Sequence, residues 1–208
     1  MGIPIMDRKV FDPSTIDDPV AMKTKWTPAK SGGASFCTHR LVRAGSDRIE
    51  FQPSAGAKFF YLVFIVVGLG VLIYFSFLGI TGSSSEVFIP ISVGFIFSTV
   101  GSVMLYMGTT PVVFDKNRGF FWKSRQGPEK TTTHSSAKKS TRLKNIHALQ
   151  LVSEYCRGNK SSFYSHELNL VLSNGRRINV VDHGNGEKLK GDARTLAAFL
   201  EKPIWDAL

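Results

Sequence analysis

The hydrophobic residues of the chain are concentrated in two blocks without a charged side chain. The first block covers residues 59–80 and the second covers residues 87–108. At about 1.5 Å per residue, a helix of this size is about 30 Å long, which matches the hydrocarbon core of a bilayer. Pro90 falls in the first turn of the second block, where a missing N–H is tolerated. The pattern predicts an integral membrane protein with a transmembrane hairpin over residues 58–109.

The distribution of basic residues predicts how this hairpin is oriented. The connection over residues 81–86 is too short to hold a domain and contains neither Lys nor Arg. Basic residues instead flank the other ends of the two blocks: Arg48, Lys58, Lys116, Arg118, Lys123 and Arg125. Because cytoplasmic loops carry the excess of Lys and Arg, we expect a multi-pass membrane protein with both termini in the cytoplasm and the short connection outside.

Small residues recur every four positions in the second block, at Gly94, Ser98 and Ser102. Such a stripe is typical of a helix-packing face, because it lets two backbones approach closely. Gly68 and Gly70 likewise leave the first helix without side chains at these two positions, so that another helix can approach. Two interpretations stay open: the two helices pack on each other, or the stripe docks another membrane subunit. Neither block contains the ionisable residues that ion pathways normally need, so transport through the hairpin alone is not expected.

The polar segments before the membrane predict a tail and a small hairpin. Residues 1–35 contain several prolines and a Gly-Gly pair but no apolar period, which predicts an extended or disordered N-terminal tail. Residues 36–57 read as a cytoplasmic β-hairpin, because two alternating segments at 39–43 and 48–52 flank a turn containing Gly45.

Residues 110–208 predict one cytoplasmic domain of strands closed by a helix. Strands are indicated over 112–123, which hold a hairpin, over 146–155 and over 167–181. The last element is an amphipathic helix, whose apolar face comprises Leu189, Ala193, Leu196, Ala197 and Leu200. This order predicts an α+β membrane protein with a pleckstrin-homology-like (PH-like) antiparallel barrel or sheet, closed by the C-terminal helix.

Two finer predictions follow from the strands. The last hairpin contains Asn174-Gly175, but the aliphatic side chains share one face only if the loop has three residues, 173–175, which pairs Leu170 with Ile178. Five strands after the membrane are few for a PH-like barrel. We therefore expect residues 39–52 to complete it, with the transmembrane hairpin inserted between the second and third strands.

The formal net charge of +10 is open to three interpretations: membrane topology, contact with anionic lipid, and nucleic-acid binding. The simplest interpretation is the positive-inside bias itself. A more specific one is lipid headgroup contact, since basic residues near a membrane meet a negative leaflet. The residues nearest the predicted spans are the candidates for that contact: Lys116, Arg118, Lys123 and Arg125. No nucleic-acid-binding motif accompanies the charge, so membrane lipids are the expected partners.

Candidate chemistry is sparse. The chain has no nucleotide-binding loop, nucleophile elbow or zincin motif in its soluble parts, and no cofactor or small-molecule substrate is expected. In the predicted hairpin register His166 lies opposite Asp182, beside Glu167 and His183. These groups could bind a metal or sense pH, but alternation sends neighbours to opposite faces, so we expect no metal site.

Three stretches of the chain carry a family resemblance. They are FDKNRG at 114–119, NIHALQLV at 145–152 and DARTLAAFLEKPIWD at 192–206. With these stretches the chain resembles bacterial two-span membrane proteins with a cytoplasmic PH-like domain, and more distantly the photosystem I assembly factor family. The resemblance implies a bacterial inner (plasma) membrane location and a non-enzymatic assembly, scaffold or accessory role with another membrane subunit. The alternative is a regulator that responds to anionic lipid.

Overall fold

A computed structural model describes residues 11–82, 86–125, 127–128, 139–158 and 161–208. The chain forms two compact units. We call residues 36–140 the hairpin unit, and residues 1–35 with 141–208 the sheet unit. The elements in chain order are α1 (Pro19–Lys23), β1 (His39–Arg43), β2 (Arg48–Pro53), α2 (Ala55–Ile80), α3 (Phe88–Gly108), β3 (Val112–Asp115), β4 (Phe120–Lys123), β5 (Ser140–Arg142), β6 (Ile146–Arg157), β7 (Ser162–Leu172), β8 (Arg177–His183), α4 (Gly186–Leu200) and β9 (Ile204–Ala207).

The two long helices of the hairpin unit coincide with the two apolar blocks. Helices α2 and α3 are long and apolar enough to cross a membrane, by length and composition. They pack on each other along their length. The predicted external connection includes residues 83–85, which lie outside the described residues. The helical hairpin predicted from the sequence is therefore present, with its first helix beginning at Ala55.

Helices α2 and α3 are inserted into a single antiparallel sheet. Strand β2 pairs with β3 across the insertion, with Ile49 opposite Phe114 and Phe51 opposite Val112. These four side chains are buried, and their burial holds together strands that lie far apart in sequence. The insertion between the second and third strands was expected, whereas β3 and β4 belong with β1 and β2 rather than with the C-terminal strands.

The junctions between sheet and helices are only a few residues long. Ser54 alone separates β2 from α2, and its hydroxyl accepts a hydrogen bond from the Ala57 N–H at 3.0 Å as the N-cap. The same hydroxyl donates to the Cys37 carbonyl at 2.6 Å. Because one side chain joins the start of α2 to the segment before β1, the helix is fixed to its sheet at this end.

The sheet unit contains a four-stranded sheet of order β8-β7-β6-β9. Its last strand, β9, pairs parallel with β6, an element that the sequence does not predict. Helix α4 buries the predicted apolar face against the sheet. Asn185 is its N-cap, accepting a hydrogen bond from the Lys188 N–H at 2.9 Å.

The predicted barrel is not formed by the described residues. Closure requires the outer strands of one sheet to pair with each other. Here the strands divide between a five-stranded sheet of order β1-β2-β3-β4-β5 and the four-stranded sheet, and both stay open. Strand β5 carries the chain from the hairpin unit into the sheet unit.

The β7–β8 hairpin has the loop that the apolar pattern predicts. Leu170 lies opposite Ile178, and Gly175 adopts a left-handed φ of 79°. A bulge then shifts the register between Leu168 and Asn169, so that Leu168 faces Val181. A bulge adds one unpaired residue to one strand, which alternation alone does not reveal.

The described part of the N-terminal segment is anchored on the sheet unit. The Trp26 ring stacks on Phe11 at 4.3 Å and lies 5.8 Å from the Trp205 ring. Ala21 is fully buried beside Ala148 and Trp205. The sequence predicts an extended or disordered tail over residues 1–35. Residues 11–35 are instead held in place by burial and hydrogen bonds, and residues 1–10 lie outside the described part of the chain.

Candidate functional site

The Arg125 side chain contacts the last turn of α3. The Arg125 guanidinium donates to the Tyr106 carbonyl at 2.8 Å and to the Thr109 hydroxyl at 2.7 Å. It also lies 4.5 Å from the centroid of the Tyr106 ring. The last carbonyls of a helix lack intrahelical partners and carry partial negative charge. Arg125 supplies both a donor and a positive charge there.

The four predicted headgroup contacts fall into two groups. Lys123 ends β4 and pairs with Val112, close to where α3 ends, and Arg125 follows it. Lys116 and Arg118 instead lie in the turn at the other end of β3. A four-residue strand is about 13 Å long, so the two groups are separated by about that distance along the sheet.

Arg48 of β2 lies next to the turn that contains Lys116 and Arg118, and it is paired with acidic residues. The Arg48 guanidinium contacts Glu50 at 2.7 Å and Asp115 at 3.5 Å. Arg48 and Arg118 lie 5.6 Å and 5.9 Å from the buried Trp122 ring. These contacts give Arg48 and Arg118 a structural role, as Arg125 also has. Lys123 and Arg125 lie nearer the end of α3 than Lys116 and Arg118, so they are better placed for headgroup contact.

The α2–α3 interface is built around glycines. A Cβ at Gly68 would lie 2.5 Å from the Ser98 nitrogen and 2.8 Å from the Gly94 carbonyl oxygen, so no larger residue fits without moving backbone. Gly101 approaches Ile65 in the same way. Gly94 and Gly101 are buried. The close approach makes this pair of helices an internal packing contact, one of the two interpretations of the stripe.

Ser102 does not belong to this interface. Its side chain is exposed, and its hydroxyl donates to the Ser98 carbonyl at 2.7 Å. The contacts follow Gly94, Gly101 and Gly108, a seven-residue period. Such a period is typical of two helices that touch about every 3.5 residues rather than every four. Gly101 and Gly108 lie outside the predicted stripe, although their spacing of seven from Gly94 is visible in the sequence.

A second set of polar contacts joins the N-terminal segment to β6, β7 and β8. We call residues 24–34 the strap. The Glu167 carboxyl group is fully buried. It accepts hydrogen bonds from the Ala29 N–H at 2.8 Å and the Lys30 N–H at 3.0 Å, and from the Asn169 amide at 3.0 Å. A carboxyl group is tolerated at such depth only when it has hydrogen-bond donors of this kind.

The glycine pair of the strap meets a second carboxyl group. Glu154 accepts from the N–H groups of Gly32 and Gly33 at 3.3 and 3.4 Å. Successive N–H groups of this kind form a concave anion-binding nest. Gly32 adopts a φ of 77°, and a Cβ at Gly33 would overlap the Ser165 side chain. The backbone of the strap can therefore take this path only with glycine at these positions.

The histidines and carboxylates of the β7–β8 hairpin do not converge. The bulge places His166 opposite His183, and Glu167 opposite Asp182, in place of the predicted His166–Asp182 pair. Within the described ranges, no group of three or more His, Cys, Asp or Glu side chains could hold a metal ion. Burial and the nearby Lys190 lower the pKa of His166, so its imidazole stays neutral to lower pH than usual.

Cys37 and Cys156 are not joined in a disulfide. Cys37 precedes β1 in the hairpin unit, and Cys156 lies near the end of β6 in the sheet unit. Burial and the neighbouring Glu154 raise the pKa of the Cys156 thiol. A raised pKa disfavours the thiolate, the reactive form of cysteine.

Comparison of the chain with protein-family models, curated proteins and solved structures finds no match.

Proposed function

We propose that the chain is an integral membrane protein of the bacterial inner membrane, which presents a folded cytoplasmic part to another membrane protein as a non-enzymatic assembly or accessory factor. Both termini are cytoplasmic in this proposal. Antiparallel strands followed by the amphipathic helix α4 are similar in order to PH-like domains, which commonly act as interaction modules, whereas strand β9 after the helix is not part of that pattern. The partner is a membrane subunit that contacts the helices, the adjoining sheet, or both.

The observation that carries the proposal is the insertion of the helical pair into one sheet. Ser54 and Arg125 fix the ends of α2 and α3 to strands that begin or end within a few residues. A protein that only needed an anchor could use a flexible linker. A short, capped junction instead holds the sheet in a defined orientation at the membrane surface, as an assembly factor would need.

The outer surfaces of the helices are free for lipid or for a partner. Only 6% of the most apolar stretch of α2 and 11% of that of α3 are buried within the chain. Ser92 and Ser102 on α3 satisfy their hydroxyl groups by donating to carbonyls of their own helix. Small residues with satisfied polar groups suit close contact with another helix.

Affinity purification in a mild detergent tests this proposal. We expect a stoichiometric membrane protein to co-purify with the chain. Ser102→Trp should reduce that recovery without changing thermal stability, because Ser102 is exposed and outside the internal interface. Gly94→Leu, the matched control, should reduce both. Recovery of the chain alone under several mild detergents would contradict the proposal.

The proximal basic group favours a second candidate, a regulator that responds to anionic lipid. Lys123 and Arg125 lie near the end of α3, and Lys58 lies exposed in the first turn of α2. Each basic residue close to an anionic surface contributes about 1 kcal/mol to binding. A chain that purifies alone but binds phosphatidylserine-containing vesicles more strongly than neutral vesicles would support this candidate over the first.

A further inference from the structure

The strap meets the sheet through its main chain. The Lys25 carbonyl accepts from the Gln150 side chain at 3.1 Å, and the Thr27 carbonyl accepts from Arg177 at 2.7 Å. Further along, main-chain N–H groups donate to Glu167, Glu154 and Ser165: those of Ala29, Lys30, Gly32, Gly33 and Ala34. These hydrogen bonds join the sheet to main-chain groups of the strap. They therefore depend on the path of its backbone rather than on the identity of its side chains.

The surface under the strap is polar, so it can form hydrogen bonds with main-chain groups. Gln150, Ser165, Glu167 and Asn169 are fully buried polar side chains on neighbouring strands. The Asn169 side-chain oxygen is buried without a hydrogen-bond partner, so the site has a spare acceptor. A strand face that is permanently covered normally uses aliphatic residues. A row of polar groups can instead be solvated when its cover leaves, because each group then bonds to water.

The two ends of the segment are held differently. Trp26 is anchored in the apolar cluster with Ala21 and Trp205. Residues 27–34 have no such apolar anchor and rest on the hydrogen bonds above. Stability differs between such regions, and a part held by few apolar contacts opens at the lowest cost. The structure therefore favours release of residues 27–34 while Trp26 stays in place.

We propose that this polar face is an exchangeable peptide-binding site. Strap residues 27–34 fill it within the chain, and a segment of a partner protein that adopts the same bent backbone can replace them if it carries a Gly-Gly pair in the same place. Glycine is required at the position of Gly33 because a Cβ there would overlap Ser165. This site goes beyond the proposed function, and it stands independently of membrane insertion.

The tethered strap limits binding of a free segment. A short tether gives an effective concentration in the millimolar range, so a peptide in solution competes poorly until the tether is cut. Trp26 anchors one end of residues 27–35, so removing this advantage requires a cut at both ends, after Trp26 and after Ser35. The full chain with a specific protease site inserted at each of these two places supplies the protein. The probe is a fluorescent peptide of residues 27–35.

We expect the peptide to enter the cut protein at least tenfold more strongly than the uncut protein, measured by fluorescence anisotropy. A Gly33→Val peptide should bind at least tenfold more weakly than the unchanged peptide. A Ser31→Val peptide is the matched control and should bind normally, because Ser31 is exposed. Failure of the unchanged peptide to enter the cut protein, or equal binding of the two valine peptides, would overturn the proposal.

Hydrogen exchange on the uncut chain gives a second test. In a Gly33→Val chain, the amides of Ala29, Lys30 and Gly32 should exchange at least tenfold faster, while those of β6 and β7 stay protected. The Ser31→Val chain should exchange like the unchanged protein. Loss of protection throughout β6 and β7 in the Gly33→Val chain would show that the strap is an integral part of the fold, and the site would then not be exchangeable.

Discussion

The Arg125 guanidinium contacts Tyr106 twice, donating to its carbonyl at 2.8 Å and lying 4.5 Å from its ring centroid. The planar guanidinium can lie against the ring while it donates to the carbonyl, whereas the ammonium of Lys is not planar and cannot stack in this way. Arg125 therefore serves both as a cap for α3 and as a positive charge at the end of the helix. The two roles can be separated by substitution.

Arg125→Lys should lower stability but keep binding to anionic vesicles. The ammonium retains the charge and loses the paired hydrogen bonds and the stacking, a loss of about 1 kcal/mol. Thermal unfolding in detergent and vesicle co-sedimentation measure the two effects. Lys123→Ala should show the reverse pattern, with weaker vesicle binding and little change in stability. Normal stability of Arg125→Lys would remove the capping role.

Gly68→Ala and Gly70→Ala form a matched pair on α2. The new methyl group at position 68 would meet the Ser98 backbone, whereas nothing lies within 4 Å of a Cβ at position 70. Overpacking of this kind costs about 1–3 kcal/mol. We expect Gly68→Ala to lower the melting temperature in detergent and Gly70→Ala to leave it nearly unchanged. Equal effects would mean that the helices do not pack as described.

Ser98 and Ser102 should respond differently to the same substitution. Ser98→Leu should destabilise the helical pair, since Gly68 approaches the Ser98 hydroxyl and backbone. Ser98→Ala should be tolerated, because the constraint is steric. Ser102→Leu should leave stability unchanged, because that side chain points away from α2. Thermal unfolding of the three variants decides the matter, and a destabilised Ser102→Leu would restore the four-residue period.

Ser84→Cys tests the orientation of the hairpin in the membrane. Position 84 lies in the connection that the charge distribution places outside the cell. A membrane-impermeant thiol reagent should therefore label the variant in intact cells. The background from Cys37 and Cys156 is removed by replacing both with serine. Labelling of position 84 only after the cells are opened would invert the predicted topology.

His166 should make stability depend on pH below neutrality. Burial and the charge of Lys190 lower its pKa from the usual 6.5. Below that value the unfolded chain binds a proton that the folded chain does not, so stability falls with pH until the lowered pKa is reached. The melting temperature of the unchanged protein should fall as the pH drops below about 6.5, and His166→Gln should reduce that slope. Parallel curves would exclude this contribution of His166.

The sequence predicts the helical pair, most strands and the apolar face of α4 well, because each depends on a local period. The internal packing period was harder, since Gly94, Ser98 and Ser102 follow the straight helix while Gly101 and Gly108 follow the contact between two helices. The bulge at Leu168 and the parallel strand β9 depend on distant pairing, and neither has a local signal.

The strap shows a different reason for failure. Its polar, glycine-containing sequence has the composition of a disordered tail, and after Trp26 it lacks the large apolar residues that usually hold a segment to a fold. The binding groups are on the other side of the contact, in Glu154, Ser165 and Glu167. A Gly-Gly pair was the signal within the strap, but its meaning depended on strands more than a hundred residues away.

Because α2 and α3 are inserted between β2 and β3, these two strands can pair only after both helices have been synthesised. Ile49 and Phe51 leave the ribosome before both helices, yet their partners Phe114 and Val112 follow after them. At about 5–20 residues per second, the strands wait several seconds for each other. During that interval the two apolar side chains stay uncovered, and a chain that stalls within the helices keeps them so. The sheet can therefore be completed only in a chain that contains the whole hairpin. An unfinished chain exposes apolar side chains, the kind of surface that chaperones bind.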